Sequence, residues 1–566
     1  MTRATFDPPR RHPAHLIGLA VILLYALGVR AVLLDQPFSR NAEGVGAFYG
    51  QLARNYLRHS FVETRGVPVQ SVGTLPGARL TYYHHHPPLV PLVVAGSYAL
   101  LGDGEWQTRL PAAIFTLACV VAVYWLLAAH GRPRAGLIAA ALFASVPMTV
   151  FYGGHPDVIN TQLVFFILLA VAAYRRLHES PTIGRVVLLC LAFAPAAWTD
   201  WPAFYIVPVV CAHWALTHRP RAWVWIVPFG LWSVLMFALV YGHIAVVVDN
   251  WTWMSAPLEK RTDATHSDRG SAITLVSWLE GVHDHNAGEH TLPVVLLGLV
   301  WLITFGWRVR RTDPAATPVR LLLAFAGLHV VVGRQSVVVH PWWWWLLTPG
   351  LVMAAGLLLD AVAQAVSRPT MVGGKDASAT GRILEEEVLE TASPQQRARV
   401  AFFHPAGVNI ALVLLLVAFA TWTTAATLPR FLDPALTQGG MNYTEQEIGQ
   451  AIRLASGGDP NGAVVLAYND SYDLPLWYYG DRPLKLAVWD EVTLMNRSAD
   501  GHADLPFWFR QDHPPAAVGV VIPKAFADTV PGYIAFLRDR YPMVESEKFL
   551  IFDLRSRRDG TADERG

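Results

Sequence analysis

Long apolar runs separated by short polar turns make up most of the chain. A helix needs about 20 mostly apolar residues to cross the ~30 Å hydrocarbon core of a bilayer. Runs of this kind lie at 14–34, 108–129, 135–151, 158–174, 183–199, 202–217, 222–242, 291–307, 319–333, 341–363 and 406–427. The pattern predicts a mainly α, polytopic membrane helical bundle of about 11 spans, with residues 14–427 as its membrane domain.

The positions of arginine in the turns predict the orientation of the bundle, because Lys and Arg accumulate in short cytoplasmic loops. Alternate turns such as "HGRPRAG", "YRRLHES" and "THRPRAW" are rich in arginine, whereas "YGGHPDVIN" and "WTDWP" contain neither Lys nor Arg. We therefore expect residues 1–13 to form a cytoplasmic tail and 364–405 a cytoplasmic loop. The basic and then apolar N-terminus has no small-residue cleavage site, which favours a retained first span over a cleaved signal peptide.

The run at 87–102 is expected to be an outer juxtamembrane or re-entrant helix. It contains prolines at 87, 88 and 91 and is shorter than a typical span. Counting it as a span would also reverse the predicted side of every turn that follows, so that arginine-rich turns would lie on the outer side.

Three larger polar pieces are predicted on the outer side. Two are loops, at 35–107 and 243–290, and the second is long enough to suggest a functional lid or groove. The third is a small soluble α/β domain at 428–566. Its strands are predicted at "AVVLAY", "LKLAVW", "AVGVVI" and "KFLIFDL", and a helix is predicted at "GYIAFLRDRY".

Composition narrows the function classes. Hydrophobic residues make up 53% of the chain and charged residues 15%, and the net charge is +1. A net charge this small gives no strong positive field to attract nucleic acid, so we expect no nucleic-acid partner. The high apolar content makes the lipid bilayer the expected partner. Its three cysteines lie inside apolar runs, which argues against a disulfide framework or a cysteine-based zinc site.

Ionisable residues recur at the predicted outer ends of the spans. Such groups are costly near a bilayer and usually face a bundle interior or a wet cavity, so they are functional candidates. They are Glu43, His84, His85, His86, Arg109, His155, Asp157, Asp200 and His340. A cavity holding carboxylates and imidazoles at this depth would suit a lipid-linked phosphate.

The order of several motifs resembles the GT-C membrane glycosyltransferases of the protein O-mannosyltransferase and aminoarabinose-transferase type (glycosyltransferase family 39-like). The motifs are a carboxylate soon after the first span, "YYHHHPPLVPL", "LLGDGEWQTRLPAAIF" and "HPDVINTQLVFF". The resemblance covers residues 14–175 well, and 319–363 loosely through "HPWWWWLLTPGLVMAAG".

The resemblance implies inverting transfer of a sugar from a polyprenyl-monophosphate donor to a cell-envelope acceptor, without a nucleotide sugar. Glu43 is then the expected base, and Asp157 is a second catalytic carboxylate that orients a substrate. The expected contacts to the donor phosphate are His84, His85, His86 and Arg109, and the expected substrate-binding residues are His155, Asp200 and His340. The resemblance places the active site on the outer face of an integral membrane protein, and a bacterial inner membrane suits this organisation.

The chain departs from the family pattern at two positions. Relatives often carry an Asp-Glu pair where this chain has Ala42 and Glu43, so Asp157 stays open as the base. Relatives also often carry a lysine where this chain has Asp200, which leaves the donor's identity open.

Plainer explanations exist for the same residues. Glu43 and Asp157 could cap or solvate helix ends, and the three histidines could form a solvated loop before a Pro-Pro helix start. The run Trp342–Trp345 is interpreted as interfacial anchoring, and "EGVHDHNAGEH" as a solvated loop and not a metal cluster. No cofactor is expected to be required, and no motif supports a divalent metal.

Other functions share many of these features. A multi-span transporter or flippase also buries charges, but the chain shows no internal repeat. An envelope oligosaccharide ligase or polymerase would differ by using a diphosphate-linked donor. A non-catalytic scaffold gives no reason for carboxylates at the bilayer surface.

Overall fold

The computed structural model describes residues 13–73, 80–156, 161–262, 273–306, 314–367, 405–434, 441–467, 474–486 and 517–556. Within these ranges, six stretches are long and apolar enough to cross a membrane by length and composition. They are Pro13–Leu34, Glu105–Ala128, Pro220–Val248, Leu275–Gly306, Pro341–Val366 and Gly407–Leu432. A small sheet lies in the C-terminal region. The predicted fold class, a mainly helical polytopic membrane protein with a C-terminal α/β region, is confirmed.

The helices of the membrane region are α1 (Pro13–Leu34), α2 (Arg40–Glu63), α3 (Leu89–Leu101), α4 (Glu105–Ala128), α5 (Pro133–Ser145), α6 (Pro147–Tyr152), α7 (Thr161–Glu179), α8 (Ile183–Thr199), α9 (Ile206–Thr217), α10 (Val227–Val248), α11 (Ser255–Thr262), α12 (Leu275–Asn286), α13 (Leu292–Trp301), α14 (Ala316–Val332), α15 (Arg334–Val339), α16 (Thr348–Val366), α17 (Pro405–Thr427) and α18 (Pro429–Leu432). Short 3-10 helices lie at Trp201–Tyr205, Pro220–Trp225 and Pro341–Leu347, and π-helical turns at Ala287–Thr291 and Leu302–Gly306. Each of the eleven predicted apolar segments coincides with one or more of these helices. Their orientation in the bilayer stays a prediction.

The segment predicted as one span at 135–151 is divided into α5 and α6. Val146 is extended, with φ −61° and ψ 144°, and Pro147 starts the second helix. A residue before proline avoids the helical conformation, which explains the break. The short helix α6 therefore leads from this break to Gly153 and His155.

The run at 87–102 forms α3, a helix of 13 residues. At 1.5 Å per residue it is about 20 Å long, which is shorter than the ~30 Å hydrocarbon core. It packs against α2 and α4. This length agrees with the expected juxtamembrane or re-entrant helix.

The C-terminal region has a five-stranded sheet in the order β2-β1-β3-β5-β4. Its elements are α19 (Glu445–Ala455), β1 (Ala463–Leu466), α20 (Leu474–Gly480), β2 (Leu484–Leu486), β3 (Ala517–Pro523), a 3-10 helix (Lys524–Thr529), α21 (Pro531–Arg540), β4 (Met543–Glu545) and β5 (Phe549–Asp553). β1 pairs in parallel with β2 and β3, whereas β5 pairs antiparallel with β3 and β4. Strand β4 was not predicted, because "MVE" is short and half exposed.

Both faces of this sheet are buried. Side chains alternate across a strand, so Val464 and Leu466 face α19, whereas Val465 lies in the cluster with α21. The capping box of Thr444 and Glu447 starts α19 by satisfying two backbone donors at its first turn. The boundary at residue 428 and the outer location of the region stay predictions.

A polar contact joins this region to the membrane helices. Arg58 of α2 binds Asp481 at 2.6 Å, and Gln51 of α2 donates to the same carboxylate at 3.1 Å. Asp103, directly before α4, accepts from Arg54 and from the Tyr478 hydroxyl, each at 2.6 Å. The C-terminal region is therefore docked on α2 and on the turn between α3 and α4.

Candidate active site

The three consecutive histidines lie on a segment between α2 and α3. Tyr82 forms an isolated antiparallel bridge with Val69, and the Tyr83 N–H donates to the Pro68 carbonyl at 2.7 Å. Two prolines and then α3 follow the histidines. His86 is thus held between a backbone bridge and a helix start.

His86 and Asp200 are brought together although 114 positions separate them. The imidazole Nδ1 lies 2.9 Å from the Asp200 Oδ1. The pair is buried, with 6% of His86 and 0% of Asp200 exposed. The structure therefore joins a predicted phosphate-binding residue to a predicted substrate-binding residue in one hydrogen-bonded unit.

Asp200 also starts the 3-10 helix at Trp201–Tyr205. Its Oδ1 accepts from the Trp201 N–H at 2.8 Å, while its Oδ2 is buried without a hydrogen-bond partner among the described residues. A buried carboxylate costs several kcal/mol unless it is paired. His86 supplies that pairing.

His84 and His85 face other neighbours. The His85 ring stacks on Tyr83, with centroids 5.5 Å apart, and His84 meets Trp253 edge-on at 5.7 Å. Burial lowers the pKa of His84. The His84 and His85 rings also contact each other, with centroids 5.2 Å apart, and Tyr83 contacts both His85 and His86. The three rings therefore form one aromatic group, in which His86 is bound to Asp200.

Arg109 and His155 meet at a second place. They line a small cavity together with Arg30, Phe151 and Phe431, which encloses about 230 Å³ of empty space including its opening. Arg109 donates to the carbonyl of Leu34 at 2.8 Å and to that of Gln36. Burial, followed by the charges of Arg109 and Arg430, holds the pKa of His155 well below its ordinary value, so this ring is neutral at neutral pH.

Arg109 is largely engaged by protein. The residue is 2% exposed, its guanidinium binds the end of α1 and it lies 4.7 Å from the Phe38 ring centroid. The residues that line its cavity do not include His84, His85 or His86. Its predicted contact to the donor phosphate stays a prediction.

Arg30 is a cavity residue that the sequence reasoning missed. It is 1% exposed and donates to the carbonyls of Ala26 and Thr149, at 2.9 and 2.8 Å. Its Nε has no hydrogen-bond partner among the described residues. The available signal was a single arginine within the first apolar run, because such a charge needs a polar environment.

Arg430 was also missed. It lies 3.8 Å from the Phe151 ring centroid and pairs with Glu289 at 3.1 Å. The signal was an arginine directly after the last apolar run, on the side where the charge pattern predicts few Lys or Arg. With Arg30 and Arg109, it gives this part of the molecule a concentration of positive charge.

His340 stacks on Trp342, with ring centroids 4.5 Å apart. Trp343, Trp344 and Trp345 are buried, with at most 3% exposed. Interpreting the whole tryptophan run as interfacial anchoring was therefore wrong, since three of its rings face protein and not lipid. Consecutive side chains of the 3-10 helix at Pro341–Leu347 point in different directions, so the burial of three in a row means that protein packs around several sides of this helix.

The histidine-rich segment "EGVHDHNAGEH" is neither a metal cluster nor simply solvated. His285 binds the Val338 carbonyl at 2.8 Å, His290 binds the Thr348 hydroxyl at 2.9 Å, and Glu289 pairs with Arg430. A π-helical turn ends this segment and rotates successive side chains toward different neighbours. In the ranges that the structure describes, no three His, Cys, Asp or Glu side chains are grouped to hold a metal ion.

The two predicted catalytic carboxylates lie outside the described side chains. Glu43 falls in the first turns of α2, of which the structure describes only the backbone at that position. Asp157 lies outside the described residues. Their catalytic roles stay predictions.

A family model matches residues 85–248, and it is described as dolichyl-phosphate-mannose-protein mannosyltransferase. This match includes His86 and Asp200. No curated protein sequence matches the chain.

Solved structures with the same fold cover nearly the whole chain. ArnT from Cupriavidus metallidurans bound to undecaprenyl phosphate has a TM-score of 0.60 and 16% identity, over 95% of this chain and 97% of that chain. The oligosaccharyltransferase AglB from Archaeoglobus fulgidus, in complex with an inhibitory peptide and a dolichol-phosphate, has a TM-score of 0.56 and 12% identity, over 94% of this chain and 72% of that chain. The chain is therefore similar to these membrane proteins in fold, and residues 85–248 are similar to the mannosyltransferase family model.

Proposed function

We propose that the protein transfers a sugar from a polyprenyl-monophosphate donor to a cell-envelope acceptor at the outer face of a bacterial inner membrane, with inversion at the anomeric carbon. The family match and the lipid phosphates bound in the similar solved structures support a donor of this class. The orientation rests on the arginine pattern of the short loops.

The observation that carries the proposal is the buried His86–Asp200 pair. A carboxylate bound at one nitrogen of an imidazole fixes the orientation of the ring and of its other nitrogen. The leaving group of this reaction is a phosphate monoester, which gains negative charge as its bond to the sugar breaks. A preorganised hydrogen-bond donor lowers the energy of that developing charge.

The reaction has a simple balance of bonds. The acceptor oxygen attacks the anomeric carbon, and the carbon–oxygen bond to phosphate breaks with its electron pair moving to the phosphate oxygen. A carboxylate takes the acceptor proton, which requires it to lie about 3 Å from that oxygen. Glu43 is our first candidate for this base, and Asp157 is the second.

The first experiment identifies the donor and tests Glu43 as the catalytic base. Purified protein is given labelled polyprenyl-monophosphate mannose, glucose, arabinose and aminoarabinose, and sugar transfer or release is measured. We expect turnover of one donor and a loss of at least about 100-fold in kcat for Glu43→Gln, because general base catalysis contributes about 10²–10⁴-fold. Donor binding should survive in this variant.

Glu63→Gln is the matched control. Glu63 lies at the other end of the same helix, and its side chain is 58% exposed beside His59. It should keep wild-type kcat. Full activity of Glu43→Gln would move the base to Asp157, and consumption of no monophosphate donor would contradict the proposed function.

A diphosphate-linked oligosaccharide donor is the second candidate. It is favoured by the similarity of the fold to an oligosaccharyltransferase, which spans 94% of this chain. Adding a polyprenyl-diphosphate oligosaccharide to the same panel separates the two donor classes.

A further inference from the structure

Asp200 carries a charge that its local role does not require. An uncharged Ser, Thr or Asn would cap the 3-10 helix at Trp201–Tyr205 equally well, because a cap needs only an acceptor oxygen. The carboxylate is instead fully buried, and Oδ2 has no hydrogen-bond partner among the described residues. Such a placement costs free energy that a neutral cap would avoid.

The partner of that carboxylate is the imidazole of His86. Its Nδ1 lies 2.9 Å from Oδ1, and in the described part of the chain no other cationic side chain is within 4.0 Å of this carboxylate. When the ring is neutral, the carboxylate fixes the tautomer that carries its proton on Nδ1. When the ring is charged, both nitrogens donate, and the carboxylate supplies the balancing charge.

The geometry of the ring determines what this pairing does. Nδ1 and Nε2 lie on different edges of an imidazole, so a carboxylate bound at Nδ1 sets the orientation of Nε2. Two buried segments hold the pair, the backbone bridge near Tyr82 and the turn after α8. Neither partner can swing away without losing buried contacts.

We propose that Asp200 is a positioning residue that orients His86 as a hydrogen-bond donor to the phosphate of the lipid-linked substrate. The inference rests on the proposed function for the identity of that phosphate. In this arrangement His86 touches the phosphate and Asp200 acts only through His86. The proposal assigns no proton transfer to either residue, since His86 stabilises charge and does not act as the base.

The test is a double-mutant cycle of Asp200→Asn, His86→Gln and the two changes combined. Asp200→Asn preserves the shape of the side chain, and His86→Gln preserves a hydrogen-bonding group on a side chain of similar length, so the variants should fold. Each single change should lower kcat/KM for the donor by about 10- to 100-fold, as partners of a shared unit do. The kcat/KM of the double variant should be at most about 3-fold lower than that of the less active single variant. The reason is that either change alone already removes the contribution of the pair.

Binding of polyprenyl phosphate without a sugar supplies an independent measurement. The affinity for this lipid should fall in Asp200→Asn and in His86→Gln, with the same non-additivity. This measurement does not require transfer, so a failure of the proposed donor reaction is distinguishable from a failure of the pair.

Asp360→Asn is the matched control. Asp360 is a buried carboxylate in α16 that pairs with Arg134, and this contact lies at a predicted inner loop. It should lower the melting temperature without changing kcat/KM or lipid binding. Losses that multiply in the double variant, or wild-type lipid affinity in Asp200→Asn, would overturn the proposal.

Discussion

Arg30 is a buried charge whose partners the sequence pattern did not predict. In the sequence it is one charge in an apolar run, and the structure gives it two backbone carbonyls, Ala26 and Thr149, as partners. Gly153 lies against its guanidinium, since a Cβ at this position would be 3.0 Å from the Arg30 Nε. The contact therefore needs both the arginine and the glycine.

Arg30→Met is expected to destabilise the protein by about 1–3 kcal/mol, because the buried Thr149 carbonyl loses its charged donor. Thermal unfolding in detergent measures the change. Arg185→Met is the control, since Arg185 also donates to carbonyls, those of Arg176 and Ser180, but at the surface. A melting temperature equal to that of the wild type in Arg30→Met would show that these bonds do not stabilise the fold.

The candidate residues were predictable from sequence as types and positions, but their pairing was not. His86 and Asp200 were both named, because ionisable groups beside apolar runs are rare and costly. Their contact depends on how α3 and α8 pack, which no local pattern encodes.

At the scale of elements, close helix packing depends on small residues. Gly356 of α16 faces α5, and a Cβ there would lie 2.7 Å from the Ala135 carbonyl. Small residues allow membrane helices to approach each other closely. The two helices could not keep this separation with a larger side chain between them.

Gly356→Val should therefore destabilise the bundle by about 1–3 kcal/mol through overpacking. Gly327 of α14 provides the control, because a Cβ added there would meet no neighbouring element within 4 Å among the described residues. Gly327→Val should leave the melting temperature nearly unchanged. Equal melting temperatures for both variants would contradict the packing argument.

Apolar periodicity predicted where helices lie better than where they break. The break between α5 and α6 follows from Pro147, and a proline within an apolar run is a signal that can be read. The π-helical turn at Ala287–Thr291 has no such signal. It depends on tertiary contacts such as the one between Glu289 and Arg430.

At the scale of the whole molecule, the C-terminal region is held by partly buried charges. Burial alone would raise the pKa of Asp481, but the hydrogen bond from Arg58, the charges of Arg54 and Arg58, and the Gly73 N–H together hold it below its ordinary value of 3.8. A carboxyl whose pKa is lower in the folded state stabilises the fold above its unfolded pKa. That contribution is lost as the pH falls through the folded pKa.

Asp481→Asn tests this contribution. At pH 7 we expect the variant to melt below the wild type, by an amount that corresponds to roughly 1–3 kcal/mol. The difference should shrink as the pH falls below about 4, because the wild-type carboxyl then becomes neutral as well. Asp539→Asn, at an exposed site beside Arg540, should show no difference at either pH. A constant difference for Asp481→Asn would refute the electrostatic explanation.

The docking contact also has a consequence for biosynthesis. Tyr478 binds Asp103 across 375 positions of the chain. At about 5–20 residues per second, a ribosome completes the second partner roughly 20–75 s after the first. During that interval Asp103 has been synthesised but Tyr478 has not. A chaperone or a neighbouring subunit therefore has time to bind the acidic turn before Tyr478 does.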